Sequence, residues 1–238
     1  MKKKPKKLEI DDLAVEDRIK RASSMLHGMI NDLLELIRVH ENNRLVVYSG
    51  LIADQIPRSF AANAFNTLVR TMHQYEVIRL CAFWDPIELG ARSLPHVSAL
   101  VGPMDVRNAL IESTKQHWLN HHDEYFAISQ ARKVGEQLDR AKRATMQISA
   151  SDRLWHLMQT RHKRLAHGLM RTRAEEKTGK TAIFVAGTER SILRSTIRIV
   201  DLFHLAVTGT SFDFNGSREM FRRNSEALWK GVTVNVTR

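Results

Sequence analysis

Between residues 15 and 40 the apolar residues Ile19, Ala22, Leu26, Met29, Leu33 and Ile37 recur every three or four positions. That spacing predicts a long helix with one buried stripe. Pro57 suits the start of a second helix, carried by Ala61, Phe65, Leu68, Met72, Tyr75, Leu80 and Phe83 to Trp84, where Asp85-Pro86 stops it. Between the two, Leu45-Val46-Val47-Tyr48 reads equally as a short strand or a helical turn. A short helix over 95–101 ends at Gly102-Pro103, and another follows over about 104–121.

A third long helix is expected over 125–148. Ala131, Val134, Leu138 and Ala141 face inward, and Arg132, Lys133, Arg140, Lys142 and Arg143 face outward. Ser149-Ala150-Ser151 breaks it, and Ser151 or Asp152 opens the next helix. Residues 171–180 read as a polar loop with Gly179 at a turn, and Ala182-Ile183-Phe184-Val185 as extended chain. Thr188 caps a helix reaching about Thr208, with Ile192, Thr196, Ile199, Phe203 and Ala206 inward and a row of Arg190, Arg194 and Arg198. A last helix starts near Ser217 and bears Met220, Phe221, Leu228 and Trp229; Val232, Val234 and Val236 then alternate like a short pairing strand.

These elements predict an all-α fold, an antiparallel helical bundle with additional short helices. Only 11 glycines and 5 prolines interrupt 238 residues, which fits helices better than a turn-rich β fold. Residues 1–7, Met-Lys-Lys-Lys-Pro-Lys-Lys, are expected to be a disordered basic tail, and residues 8–238 a single helical domain. The one cysteine, Cys81, sits among apolar neighbours as a small core residue. No apolar run is long enough to span a membrane, and the lysine-rich start lacks the apolar core of a secretory signal, so a cytoplasmic protein is expected.

Charge sharpens this picture. Residues 1–131 hold 16 basic and 16 acidic side chains, whereas residues 132–238 hold 21 and 10, so the whole net charge of +11 lies in the second half. A polyanion partner, most simply nucleic acid, is the reading beyond a plain solvated surface. His117 and His121 lie one helical turn apart near Asp123 and Glu124, but without the order of a zinc-binding helix; they read as a solvated helix end, and no metal or other cofactor is expected.

The candidate chemistry lies in Arg161-His162-Lys163-Arg164-Leu165-Ala166-His167. Leu154, Leu157, Met158, Leu165 and Leu169 share a helical face, and Arg161 falls in its middle. A guanidinium buried there needs a carboxylate, a phosphate or a wet cleft. His167 is about 120° away around an ideal helix, so the two converge only if the helix ends or bends, or if a second chain completes the site.

This stretch resembles the signature of HEPN domains: an Arg, a polar residue directly after it, and a His five to seven positions beyond. Lys two after the Arg and Leu-Ala before the His resemble the abortive-infection branch, as, more faintly, does Phe83-Trp84-Asp85-Pro86. Two other pairs, Arg21/His27 and Arg198/His204, share the spacing but not its context. The resemblance implies an α-helical bundle, commonly dimeric and often a metal-independent ribonuclease of a phage-defence or toxin system, with an antitoxin or regulatory protein as a possible partner.

On that reading His167 is the acid/base, Arg161 binds the scissile phosphate and His162 orients. Lys163, Arg164 and the row Arg190, Arg194 and Arg198 attract the RNA backbone. Two histidines brought together by a homodimer would supply one acid and one base. Two alternatives stay open: a non-catalytic HEPN-like protein binding nucleic acid or a partner protein, and a helical scaffold in which Arg161 pairs with a buried carboxylate.

Overall fold

The first stripe does build a long helix, and it runs further than its apolar spacing suggests. In the computed structural model, which describes residues 10–87, 91–166, 172–183, 185 and 187–236, α1 covers Val15–Val46. Ala22, Leu26, Met29, Leu33 and Ile37 are all buried on it. The ambiguous Leu45-Val46 is thus the last turn of α1, followed by a short 3₁₀ turn at Ala53–Gln55. The remaining helices are α2 (Phe60–Ala82), α3 (Leu94–Val101), α4 (Met104–Leu119), α5 (Glu124–Ser149), α6 (Asp152–Thr160), α7 (Arg173–Thr178), α8 (Thr188–Thr208) and α9 (Phe214–Trp229). The fold is all-α, with no strand among the described residues. Nor is any helix of those residues long and apolar enough to cross a membrane. Residues 1–7 lie outside the described residues.

The chain divides into two compact units. The first takes the described residues of 1–30, 82–151 and 194–212, so α3, α4 and α5 lie wholly within it. Both α3 and α4 pack on α5. Ala131, Val134, Leu138 and Ala141 line the buried side of α5, as their spacing requires, and Ile199, Phe203 and Ala206 do so on α8. Arg107 of α4 forks onto Asp139 of α5 at 3.0 and 3.3 Å. Gly135 permits this approach, since a Cβ there would lie 2.9 Å from the Arg107 guanidinium. Ser93 caps α3 through the His96 N–H, and Trp84 Nε1 donates to Thr196 Oγ1 at 3.0 Å in the core.

The second unit takes the described residues of 31–81, 152–193 and 213–238. Several expectations fail in it. The apolar stripe of α2 is not uniformly buried: its Leu68 and Tyr75 are exposed, as is Phe60 at the helix start, and the buried face is Glu76, Val77, Leu80 and Cys81. The valines after α9 pair with no strand. The Gln55 side-chain amide takes that place, donating to Val232 O (3.3 Å) and accepting from Val234 N–H (2.9 Å). The last helix begins at Phe214, not Ser217, because Asp213 caps it through the Gly216 N–H.

A buried polar network fixes the end of α1 against α2. Glu76 accepts from His40 Nδ1 (2.6 Å), Asn43 Nδ2 (2.6 Å) and Tyr48 OH (2.9 Å). Burial, reinforced by Glu76 and Glu189, pushes the Tyr48 phenol far above its ordinary range. Glu41, also buried, accepts from Arg44 and Arg218.

Candidate functional site

The motif begins where α6 stops being an α-helix. Leu154 and Leu157 bury its apolar side, together with Gln159 and Thr160. From Arg161 to Ala166 the backbone winds as a π-helix. The wider turn changes the angular spacing of successive side chains, and such turns are rare and frequent at functional sites. The irregular backbone therefore falls on the motif itself and ends directly before His167.

Within that turn Arg161 is half-buried, and its Nη2 lies 3.3 Å from His162 Nε2. Lys163 turns toward Glu175, 3.4 Å away. His167 lies outside the described residues, as do Gly168 and Leu169, and so does the side chain of Arg164.

Directly after the undescribed stretch, the chain is fastened back onto the motif helix. Thr172 caps α7 by accepting from the Glu175 N–H, and Glu175 reciprocates by accepting from the Thr172 N–H at 2.9 Å. The Thr172 hydroxyl also donates to Gln159 Oε1 of α6 at 2.6 Å. Glu175, fully buried, accepts further from the Ala182 N–H at 2.7 Å. The Ala182 and Thr172 amides, with Lys163 behind them, hold its carboxyl below the usual glutamate range against the opposing effect of burial. One carboxylate thus joins the π turn, α7 and the chain after it. Gly179 ends α7 in the left-handed region (φ 68°), the turn its position suggested.

Ala182 and Ile183 were expected as extended chain, but they belong to no strand. Their N–H groups go to side chains, Glu175 and His156 Nδ1; Phe184 lies outside the described residues. The clasp around Glu175 was legible in outline: Thr172-Arg173-Ala174-Glu175 has the spacing of a capping box, in a stretch read as polar loop.

The arginine row lies along α8 as expected, with Arg190, Arg194 and Arg198 all exposed. Arg190 belongs to the second unit and the other two to the first. Of the other spaced pairs, His27 is exposed and His204 is buried, their rings 5.4 Å apart and edge-on in the first unit. His117 and His121 meet edge-on with ring centroids 5.3 Å apart at the end of α4, next to Trp118. Among the described residues, no cluster of three or more His, Cys, Asp or Glu side chains is placed to ligate a metal ion.

An all-helical chain with an Arg-polar-x4-His segment at a distorted helix end has the features of a HEPN domain. The HEPN family model of the AbiU2 type matches residues 13–228, and the chain belongs to that family: it is a HEPN domain of the abortive-infection type. Nothing among the curated proteins or the solved structures matches the chain.

Proposed function

We propose that this HEPN domain is a metal-independent endoribonuclease acting in phage defence or as a toxin, with Arg161 and His167 at its centre. The observation that carries the proposal is the π turn at Arg161–Ala166, which places an irregular backbone on the motif residues and ends one residue before His167. In the reaction the RNA 2′-oxygen attacks the adjacent phosphorus and loses its proton to a base. The bond from phosphorus to the 5′-oxygen breaks, and an acid protonates that oxygen. The products are a 2′,3′-cyclic phosphate and a 5′-hydroxyl.

Imidazole, with an ordinary pKa near 6.5, exchanges protons at neutral pH, which suits His167 to either transfer. Arg161 holds the non-bridging oxygens through a planar fork of donors as negative charge grows on them. His162, in contact with Arg161, orients that fork. Arg164, Arg190, Arg194 and Arg198 draw the backbone in electrostatically, and Lys163 divides its charge between RNA and Glu175.

Both units belong to one functional HEPN domain on this reading, supported by a family match that runs through both. The working form is a homodimer in which two motif segments supply two histidines. The exposed apolar side chains of Phe60, Leu68 and Tyr75 on α2 support a protein partner surface. Incubating the purified protein with total RNA, beside His167→Ala, tests the assignment: cleavage by the first and none by the second is expected.

One observation favours a second reading, a HEPN protein that binds nucleic acid or a partner without cleaving. Lys163 is committed in part to its own loop through Glu175. RNA binding without cleavage, unaffected by His167→Ala, would select it.

A further inference from the structure

In the second unit, the last turns of α1 and the middle of α2 border a hollow of about 430 Å³ that takes in none of the motif residues. Val39 of α1, with Met72 and Tyr75 of α2, gives it apolar walls. Asn43 stands at the same wall, fully buried, and only half of its amide is used. Its Nδ2 donates to Glu76 Oε2 at 2.6 Å and to Met72 O at 3.2 Å. Turning the amide over would set its oxygen against those two acceptors, so Oδ1 is fixed on the other side. Among the described residues, that buried Oδ1 has no hydrogen-bond partner.

Four further polar side chains around the hollow are committed within the unit. Glu35 and Arg38 pair with each other at 2.7 Å, and Arg38 also lies over the Phe221 ring. Asn42 donates to Arg38 O and accepts from Trp229 Nε1, and the Thr71 hydroxyl donates to Thr67 O. The charges at the rim therefore cancel, and an occupant gains nothing by carrying one. A buried acceptor without a donor is costly, so the occupant brings an N–H or O–H. A water would find a single open partner there, where a buried water makes about three hydrogen bonds. Apolar walls and the exposed ring of Tyr75 suit a flat aromatic body. The hollow also falls within the range of small-ligand sites, about 300–1,000 Å³. Phe60 and Leu68 do not line it, so only Tyr75 is shared with the partner surface suggested above.

We propose that this hollow binds a small neutral aromatic molecule whose ring-borne N–H or O–H donates to Asn43 Oδ1, in class an indole or a simple phenol. The ring fills the space that Val39, Met72 and Tyr75 line. Because Asn43 also holds Glu76, the occupant braces the junction of α1 and α2. None of the motif residues takes part, so the inference does not rest on the cleavage proposed above.

Calorimetric titration of the full-length protein uses two matched pairs of probes, indole beside N-methylindole and 4-methylphenol beside 4-methylanisole. The second member of each pair keeps the ring and loses the donor. In at least one pair the donor-bearing member is expected to bind about tenfold or more tightly than its methylated partner, the scale of satisfying one buried acceptor. Thr71→Trp fills the mouth of the hollow from an exposed position and leaves Asn43 in place. It is expected to weaken that binding by about tenfold or more, as overfilling a packed site does. Should Thr71→Trp melt early, Val39→Phe fills the hollow from the opposite helix and reads the same loss. No binding by either donor-bearing probe up to its solubility overturns the inference. So does equal affinity within both pairs, or unchanged affinity in the filled variants. Sedimentation of wild type beside Thr71→Trp reads the other occupant, a second copy of the chain. A dimer lost in the variant, with no probe bound by wild type, assigns the hollow to a contact between copies and overturns the inference as well. Because RNA cleavage is not measured, failure here leaves the assignment of His167 untouched.

Discussion

Arg161 Nη2 lies 3.3 Å from His162 Nε2 in the π turn, and the direction of that bond is fixed by chemistry. A guanidinium has donors only, so the ring nitrogen accepts and the imidazole is neutral with its proton on Nδ1. On the proposed reading, the neighbour that the HEPN signature places after its Arg acts here as a positioning group for it.

Replacing Arg161 therefore tests geometry as well as charge. Arg161→Lys keeps the charge but loses the planar fork and the bond to His162. RNA cleavage is expected to fall about a hundredfold or more, the scale of losing one donor to a developing oxyanion. Near-wild-type turnover in Arg161→Lys would move the phosphate clamp to Arg164 or to the arginines of α8.

The clasp behind the motif should be measurable as stability. Thr172→Ala removes a capping hydroxyl and leaves the buried Gln159 Oε1 without the hydrogen bond it receives. A cost of about 1 kcal/mol from the cap alone is expected in denaturant titration. A loss below a few tenths of that size would mean the clasp is not formed.

Acid should loosen the same clasp. The carboxyl of Glu175 is held below its ordinary value, so the unfolded chain binds more protons than the folded one through that range. Its contribution to stability is complete above the ordinary glutamate value, about 4.3, and is lost as pH falls through the lowered folded value. Melting profiles of Glu175→Gln should be flatter there than those of wild type, and lower at neutral pH. Identical pH profiles would contradict the assignment.

His204 gives a second acid-sensitive window. Burial, with His27 also opposing protonation and Asp201 favouring it, leaves the His204 ring below the usual histidine value. Stability is expected to be unaffected above about pH 6.5 and to decline as pH drops from there through the folded value. His204→Gln should flatten that part of the melting profile; an unchanged slope between wild type and variant would argue against it.

Helices whose apolar spacing is matched by burial were readable from the chain. The inward faces of α5 and α8 lie where Ala131, Val134, Leu138, Ile199 and Phe203 put them, because each stripe meets a packed neighbour. The stripe of α2 misled because apolar spacing reports that a face exists, not that something covers it, as exposed Leu68 and Tyr75 illustrate. The last turns of α1 were obscured by His40, Glu41 and Asn43. Polar residues at a helix end read as surface, and only their partners Glu76 and Arg218, far away in sequence, explain their burial.

At the candidate site, Arg161 on its apolar face was legible, whereas the π turn that carries it was not. The partner of Lys163 was also hidden, since Glu175 is drawn inward by backbone N–H groups that no side-chain pattern encodes.

A shared site in a homodimer predicts complementation. Chains carrying Arg161→Ala and chains carrying His167→Ala are each expected to be inactive, and their mixture to regain part of the cleavage. Sedimentation at assay concentration should give a dimer. Full activity in a strictly monomeric sample would rule out the shared site.

The central claim is that His167 moves protons in RNA cleavage without a metal ion. The most direct measurement treats RNA with wild type and His167→Ala in EDTA and identifies the termini of any products. The account predicts cleavage by wild type, ends bearing 2′,3′-cyclic phosphate or its opened 3′-phosphate, and a loss of about a hundredfold or more in His167→Ala. Activity abolished by EDTA and restored by Mg²⁺ or Mn²⁺, or cleavage undiminished in His167→Ala, would contradict it.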